Sequence, residues 1–416
     1  MSQSVYIVNG ARTPMTEYEG SKTGDGRPGG AFGRVSALDL GAAASKEALK
    51  RSNVPADRID QVIFGNVMQT SGDAIYGARH IGLKAGVPIP VPALTVNRLC
   101  GSGIQSVINA AEQILLGEAN TVLAGGAENM SQAPHVIYGA RRGFKLGQGK
   151  LEDSLMVALM DSYCRLFMAQ TAEKLADKHK ISREEQDIFA VRSHNEAHRA
   201  MQAGLLAEEI VPVEVPLGGG RTATVDKDDH LRLGTNLEAL AKLPTAFSKD
   251  GKGGYVTAGN ASGIVDGAAA LVVANDATVK ETGVEPLARI TAWSFVGVEP
   301  SEMGIGPAPA IRMVLSKAKL KLADIDLFEI NEAFAAQYLA VEKDLGLDRD
   351  KVNVNGGAIA LGHPLGATGS RLLLTLGMEM KRRGAKRGIA SACIGGGQGI
   401  AMLIVRDQAM RWAATL

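Results

Sequence analysis

Cysteine is scarce in this chain: three residues in 416, without the paired spacing of a disulfide framework. Free thiols argue for a reducing compartment. No sign of charge dominates either, with Lys+Arg 45 against Asp+Glu 44. That balance gives no electrostatic case for nucleic acid or an anionic membrane surface as partner. No apolar run reaches the length that spans a bilayer, so no membrane insertion is expected. Aromatic residues make up only 4%, while hydrophobic residues reach 45% and glycine numbers 50. This is the Ala/Val/Gly-rich pattern of a large α/β enzyme, and the length calls for more than one domain. The run Val5-Tyr6-Ile7-Val8 reads as a buried strand and leaves no room for a removable leader. The ending Ala414-Thr415-Leu416 is not a peroxisomal address. A cytoplasmic α/β protein is the expectation.

Against this background two cysteines and one histidine stand out. Cys100 lies in Val96-Asn97-Arg98-Leu99-Cys100-Gly101-Ser102-Gly103, just before apolar residues at helical spacing over 104–116. A helix N-terminus stabilises a thiolate, so this placement predicts a lowered thiol pKa and a nucleophile. Cys393 lies in Ser391-Ala392-Cys393-Ile394-Gly395, at an expected strand end, with the Gly395 N–H free to serve an oxyanion. His363 sits in Gly362-His363-Pro364 at the first turn of a second helix. Asn331 closes the strand-like Leu327-Phe328-Glu329-Ile330 and offers an amide able to hold a water. Two thiols and an imidazole suit thioester chemistry, which needs an acyl carrier, an α-carbon acid/base and enolate stabilisation.

The chain also repeats itself. The stretch around Asp60-Gln61-Val62-Ile63-Phe64 resembles that around Asp326-Leu327-Phe328-Glu329-Ile330, and Thr121-Val122-Leu123-Ala124 resembles Arg387-Gly388-Ile389-Ala390. The offset is 265 to 267 residues in both places, which predicts a duplication of two βα halves whose sheets pack through a shared helical layer. The expected order is a first core half over residues 1–126, completed by 214–285, and a second core half over 286–416. Between them, residues 127–213 are more charged and helical, with a capping box at Ser182 and Glu185. They are expected to form a loop domain over the active site.

Other features read as structural. Residues 17–33 hold six glycines and no large aliphatic side chain, the composition of a surface loop without function. His194 and His198 share a helical face with no third ligand nearby, so a solvated face and no metal are expected. The turns Gly218-Gly219-Gly220 and Gly395-Gly396-Gly397 lack the spacing of a dinucleotide fingerprint.

Together these motifs resemble those of the thiolase family over nearly the whole length. They run from Arg12-Thr13-Pro14 through Cys100-Gly101-Ser102-Gly103, Gly125-Gly126-Ala127-Glu128-Asn129-Met130-Ser131 and Asn331-Glu332-Ala333-Phe334 to Gly362-His363-Pro364 and Cys393-Ile394-Gly395. The resemblance implies the layered α/β/α/β/α thiolase fold with an inserted loop domain. It implies an acyl-Cys100 intermediate, His363 as activating base and Cys393 as second acid/base. His363 and a water on Asn331 would form one oxyanion hole, and the N–H groups of Cys100 and Gly395 the other. Coenzyme A enters as co-substrate, with no permanently bound cofactor. Ser262, Ala258 and Phe247 would line its pantetheine arm and Arg232 would meet its nucleotide end. Met168 and Phe334 are further expected contacts of the acyl-CoA, Phe334 bordering the acyl pocket, and a homodimer or homotetramer is expected.

One position departs from the biosynthetic acetoacetyl-CoA thiolases, which carry histidine where Leu166-Phe167-Met168 has Phe167. The segments Gly143-Phe144-Lys145-Leu146-Gly147 and Leu151-Glu152-Asp153-Ser154-Leu155 look like the mitochondrial-type 3-ketoacyl-CoA thiolases of β-oxidation. A degradative enzyme is therefore expected, with the biosynthetic thiolase as alternative. A ketoacyl synthase normally works with Cys-His-His, which Cys393 disfavours. A non-catalytic acyl-CoA-binding relative would have lost one of the reactive groups.

Overall fold

A computed structural model describes residues 3–247 and 254–406; the Ala414-Thr415-Leu416 ending lies outside the described residues. The first half runs β1 (Val5–Arg12), α1 (Ala37–Arg51), β2 (Gln61–Gly65), β3 (Ala93–Val96), α2 (Ser102–Leu115) and β4 (Thr121–Glu128). The chain then leaves the sheet for residues 129–264, which include α3 (Met168–His179) and α4 (Arg183–Gln202). It returns as β5 (Val265–Asn275) and β6 (Ala288–Gly297), followed by α5 (Pro307–Ala318), β7 (Leu327–Ile330) and α6 (Ala335–Leu345). The last elements are α7 (Leu365–Arg383), β8 (Arg387–Ile394) and β9 (Gln398–Val405). Because β4 continues through Glu128, the excursion starts two residues later than the 126/127 boundary read from sequence.

The duplication is visible in hydrogen bonds. Asp60 Oδ2 accepts from the N–H groups of Asn120 and Thr121 at 2.7 and 3.0 Å. Asp326 Oδ2 accepts from Lys386 and Arg387 at 2.8 and 2.9 Å, the same device 266 residues on. In both halves a parallel strand pair results, β2 with β4 and β7 with β8.

Strand order is β7-β8-β9-β6-β1-β5-β4-β2-β3. Rather than two separate sheets, a single hydrogen-bonded path joins the halves, through three antiparallel pairs between β1 and β6 (Val5–Ile290, Tyr6–Arg289, Ile7–Ala288). The expected shared helical layer is present within this path, formed by α2 and α7. Its core includes Ile104, Ile108, Leu372 and Leu376, each 1% exposed or less. Full burial of such a side chain contributes about 1.5–3 kcal/mol. Helix α1 covers the outer face of the first half and α5 that of the second, giving five layers. With both faces covered, β5 is buried at every position, which explains its uninterrupted Ala268-Ala269-Ala270-Leu271-Val272-Val273 run.

Helix boundaries follow local chemistry. Ser36 Oγ accepts from Asp39 N–H to start α1. The reciprocal pair Ser182–Glu185 starts α4 as expected, with bonds of 3.1 and 2.7 Å. Buried Arg12, at the end of β1, ties the excursion to the sheet by a fork on Asp228 (2.7 and 2.9 Å) and a bond to Glu209 (2.7 Å). Burial works against its charge, but the two carboxylates outweigh it and hold its pKa above the ordinary arginine range.

The tightest contact in the central layer is backbone on backbone. A Cβ on Gly103 of α2 would lie 2.3 Å from Ser370 N, and one on Gly369 of α7 would lie 2.3 Å from Ile104 N. Neither backbone can yield cheaply. Gly103→Ala is expected to lower unfolding stability by about 1–3 kcal/mol, read in the midpoint of chemical denaturation; an unchanged midpoint would mean that the helices separate freely.

Candidate active site

Leu99 to Gly101 form a single 3-10 turn between β3 and α2. Leu99 has φ +45°, a left-handed conformation that a branched side chain rarely adopts. Asn97 Oδ1 holds its N–H at 3.0 Å, and Ser102 Oγ donates to its carbonyl at 2.7 Å. This strained elbow, unmarked in the sequence, presents Cys100 at the head of α2. The Gly395 N–H, from the turn after β8, donates to the Cys100 sulfur. The sulfur is nevertheless not an armed thiolate. Burial pushes the Cys100 thiol up to about 11, and the charge of Glu128 adds to it, outweighing the Gly395 and Cys100 N–H groups. The expectation of a lowered pKa fails because one helix end cannot offset that desolvation.

His363 enters the site just before α7, after Gly362, whose φ of +92° and contact with Val265 leave no room for a side chain. Its N–H donates to Gly263 O at 2.9 Å. Its Nδ1 lies 2.6 Å from Thr368 Oγ1, and that hydroxyl gives its own proton to Pro364 O at 3.0 Å. Thr368 can therefore only accept, which fixes the proton on Nδ1 and leaves Nε2 with its lone pair. Burial, and then the charge of Arg371, lower the His363 pKa to about 3. The imidazole is neutral and able to take a proton.

Asn331, completely buried at the end of β7, points Nδ2 at His363 Nε2 across 3.4 Å. Its Oδ1 has no protein partner among the described residues, leaving an acceptor for a donor from outside the protein. Cys393 is fully buried at the end of β8; burial and the neighbouring Cys100 push its thiol well above the ordinary range. Around it pack Met168, Met303, Ala333 and Phe334, an apolar lining suited to an acyl chain.

Glu128, completely buried at the end of β4, was not singled out by sequence reasoning. Its carboxylate accepts from Val67, Met68 and Gly366 N–H groups at 3.1, 3.0 and 2.9 Å. It thereby pins the first turn of α7 to the first half. Burial raises its pKa to about 7.

Arg232, Phe247, Ala258 and Ser262, four of the residues assigned to coenzyme A by resemblance, lie on the returning segment before β5. Ser262 N–H bonds Ala333 O at 3.0 Å, and Ala261 bridges Phe334, so this segment runs beside the Asn331 strand end. Ala258 is exposed, and Phe247 stacks on Phe167 with ring centroids 5.3 Å apart. Arg232 Nη2 donates to Lys22 O at 3.3 Å and lies 3.7 Å from Glu17. One structural expectation fails nearby. His194 is buried against the residues 230–232 segment, its Nδ1 accepting from Arg232 N–H at 3.4 Å, because α4 turns that face inward. Residues 17–33 form the expected surface loop, anchored by buried Glu17, Thr23 and Phe32 and by the Gly24 N–H bond to Asp229 O at 2.6 Å. No cluster of metal-ligating side chains occurs among the described residues.

Residues 5–277 match the family model for the thiolase N-terminal domain, and residues 284–406 match that for the thiolase C-terminal domain. The chain belongs to the thiolase family. It is 52% identical to the mitochondrial 3-ketoacyl-CoA thiolase of Homo sapiens, over 97% of this chain and 98% of that protein. It is 48% identical to an acetyl-CoA acetyltransferase of Cupriavidus necator, over 97% and 99%. The crystal structure of human mitochondrial 3-ketoacyl-CoA thiolase in complex with CoA superposes with a TM-score of 0.90 at 50% identity, covering 97% of this chain and 98% of that one.

For this thiolase the two shifted pKa values predict two regimes of Cys100 alkylation by iodoacetamide. A slow, pH-independent rate between pH 5 and 8 is expected from His363 acting as base. Above it the rate should climb about tenfold per pH unit towards a thiol pKa of about 11. His363→Ala should remove only the first regime; a plateau beginning near pH 7 would instead reveal a preformed ion pair.

Proposed function

We propose that this thiolase cleaves 3-ketoacyl-CoA with coenzyme A, giving acetyl-CoA and an acyl-CoA shortened by two carbons. The observation that carries this reading is the backbone contact of α2 with α7 at Gly103 and Gly369, which draws together the helix starts that follow Cys100 and His363; Asn331 lies 3.4 Å from His363, and Cys393 neighbours Cys100. Cys100 sulfur attacks the 3-keto carbon while His363 Nε2 takes its proton. The C2–C3 bond breaks, leaving an acyl group on Cys100 and an acetyl-CoA enolate, which takes a proton at C2 from the Cys393 thiol. The incoming coenzyme A thiol gives its proton to the Cys393 thiolate and attacks acyl-Cys100. As that tetrahedral centre collapses, Cys100 leaves and recovers its proton from His363. The Cys100 and Gly395 N–H groups stabilise the tetrahedral oxyanions. The His363 Nε2–H and a water on Asn331 stabilise the enolate oxygen. Thioester exchange between two thiols is nearly isoenergetic, so the same residues run the condensation in reverse.

Ser262, Ala258 and Phe247 are assigned to the pantetheine arm, Arg232 to the nucleotide end, and Met168 and Phe334 to the acyl pocket. Of these residues only Met168 lies within the loop domain proposed for residues 127–213; Arg232, Phe247, Ala258 and Ser262 follow it, on the segment that leads back to β5. The degradative reading rests on Phe167, whose ring stacks on Phe247 and offers no hydrogen bond to the oxygen of a short substrate. The biosynthetic reading, condensation of two acetyl-CoA, keeps the support of the relative named acetyl-CoA acetyltransferase. A homodimer or homotetramer is proposed because the edge strand β3 has no outer partner among the described residues and exposes Leu94. Exposed Tyr138, Leu146, Leu151 and Tyr163 offer a second apolar surface. The three unpaired cysteines support a reducing compartment, and the cytoplasm remains our proposal for it. No helix among the described residues is long and apolar enough to cross a membrane.

Coenzyme A-dependent cleavage should extend from four-carbon to medium-chain 3-ketoacyl-CoA and vanish in Cys100→Ala. Phe167→His should shift relative kcat/KM towards acetoacetyl-CoA. Wild-type activity confined to acetoacetyl-CoA would move the enzyme to the biosynthetic class, and an unchanged chain-length profile in the variant would remove Phe167 from specificity.

A further inference from the structure

Residues 17–33 lie far from Cys100 in the chain, yet one of their side chains reaches the scaffold of the catalytic histidine. Glu17 is 2% exposed, and its Oε1 lies 2.5 Å from His230 Nδ1. On the other side of the ring, His230 Nε2 faces Ile359 O at 3.0 Å. Ile359 belongs to the short helix Ala358–Leu361, which leads directly into Gly362 and His363. The flat of the ring also packs on Gly263, where an added Cβ would lie 2.5 Å from His230 Cε1. Gly263 in turn accepts the His363 N–H at 2.9 Å. One imidazole therefore braces the segment that leads into His363 and the carbonyl to which His363 is bonded.

Both nitrogens of that ring face oxygens. Ile359 O can only accept. Glu17 also faces Arg232 Nη2 at 3.7 Å, which favours its carboxylate, again an acceptor. His230 Nε2 therefore donates to Ile359 O, while its Nδ1 is bonded to Glu17. The other groups facing the ring are His194, 6.4 Å away between centroids, and Asp229, whose Oδ1 accepts the Glu17 N–H at 2.6 Å.

We propose that Glu17 and His230 are positioning residues that hold His363 in register with Cys100, making the glycine-rich segment a structural support of the active site. The proposal rests on the thiolase reading for its kinetic form, because His363 matters only if it handles the Cys100 proton. A displacement of about 1 Å in such a group costs up to ~100-fold in rate.

The test compares two amide replacements. His230→Gln places an amide N–H near the Nε2 position and keeps the donor to Ile359 O. His230→Asn places one near Nδ1 and keeps only the Glu17 bond. His230→Gln should retain kcat within about threefold and His230→Asn should lose about 10- to 100-fold, with KM for 3-ketoacyl-CoA little changed in both. Equal losses, or losses that merely follow the melting temperature, would overturn the proposal. Should either variant fail to fold, Glu17→Gln still bonds Nδ1 through its amide and leaves the Nε2 donor to Ile359 O, whereas Glu17→Leu takes away the partner that orients the ring. Glu17→Gln should retain kcat within about threefold and Glu17→Leu should lower it about 10-fold with a normal Cys100 titre; equal kcat in the two would again refute the role. If the wild type cleaves no 3-ketoacyl-CoA, the functional reading fails separately. The same ranking of variants is then read in the pH-independent alkylation of Cys100, which requires His363 but no acyl-CoA.

Discussion

The active site depends on two helices being allowed to touch through their backbones. At Gly103 and Gly369 the chains of α2 and α7 approach so closely that a methyl group on either would meet a backbone nitrogen at 2.3 Å. Cys100 stands three residues before the first glycine and His363 six before the second. The nearness of these two helix starts is thus a consequence of helix packing. Gly126 repeats the device against the sheet, where a Cβ would lie 1.8 Å from Gly366 O. The start of α7 is seated on the first half as firmly as on its own. Small residues, here the means of close approach, do what large core side chains do elsewhere: they set distance.

Within that frame the electrostatics favour an uncharged resting state. Burial raises the Cys100 thiol to about 11 and lowers His363 to about 3, so both groups rest uncharged. A thiol of high pKa is the stronger nucleophile once its proton is removed. The resting state therefore holds no thiolate, and in the proposed mechanism the imidazole takes the thiol proton only as Cys100 attacks. The tautomer required for this is set by Thr368, one helical turn into α7, whose hydroxyl is committed to Pro364.

Much of this was legible in the amino-acid order, where chemistry is local. Cys100 before a helix, His363 with Pro364 at a helix start, and Asn331 and Cys393 at strand ends are statements about neighbouring residues. The duplication was legible because it repeats an order. What escaped were properties created by residues distant in sequence. His194 looks like half of a solvated pair until residues 230–232 fold over it. Glu17 looks like part of a polar loop until His230, 213 residues on, supplies its partner. Glu128 lies in a quoted motif, yet its task appears only when Gly366, 238 residues later, arrives at its carboxylate. The joining of the two sheets by three residue pairs, and the sign of the Cys100 shift, likewise depend on what surrounds a group in space.

Duplication made two helix starts, and the structure treats them unequally. At α7 the Gly366 N–H is consumed by Glu128, an anion lent by the other half. At α2 the position 266 residues after Glu128 is Ile394, a hydrocarbon packed against Gly101 with nothing to accept a hydrogen bond. A half-length chain pairing with its own copy would be bound by symmetry to have both ends closed or both open. Covalent fusion lifts that restriction. One end became a rivet for the scaffold, while the other kept its polarity for the oxygen that turns negative in the proposed reaction.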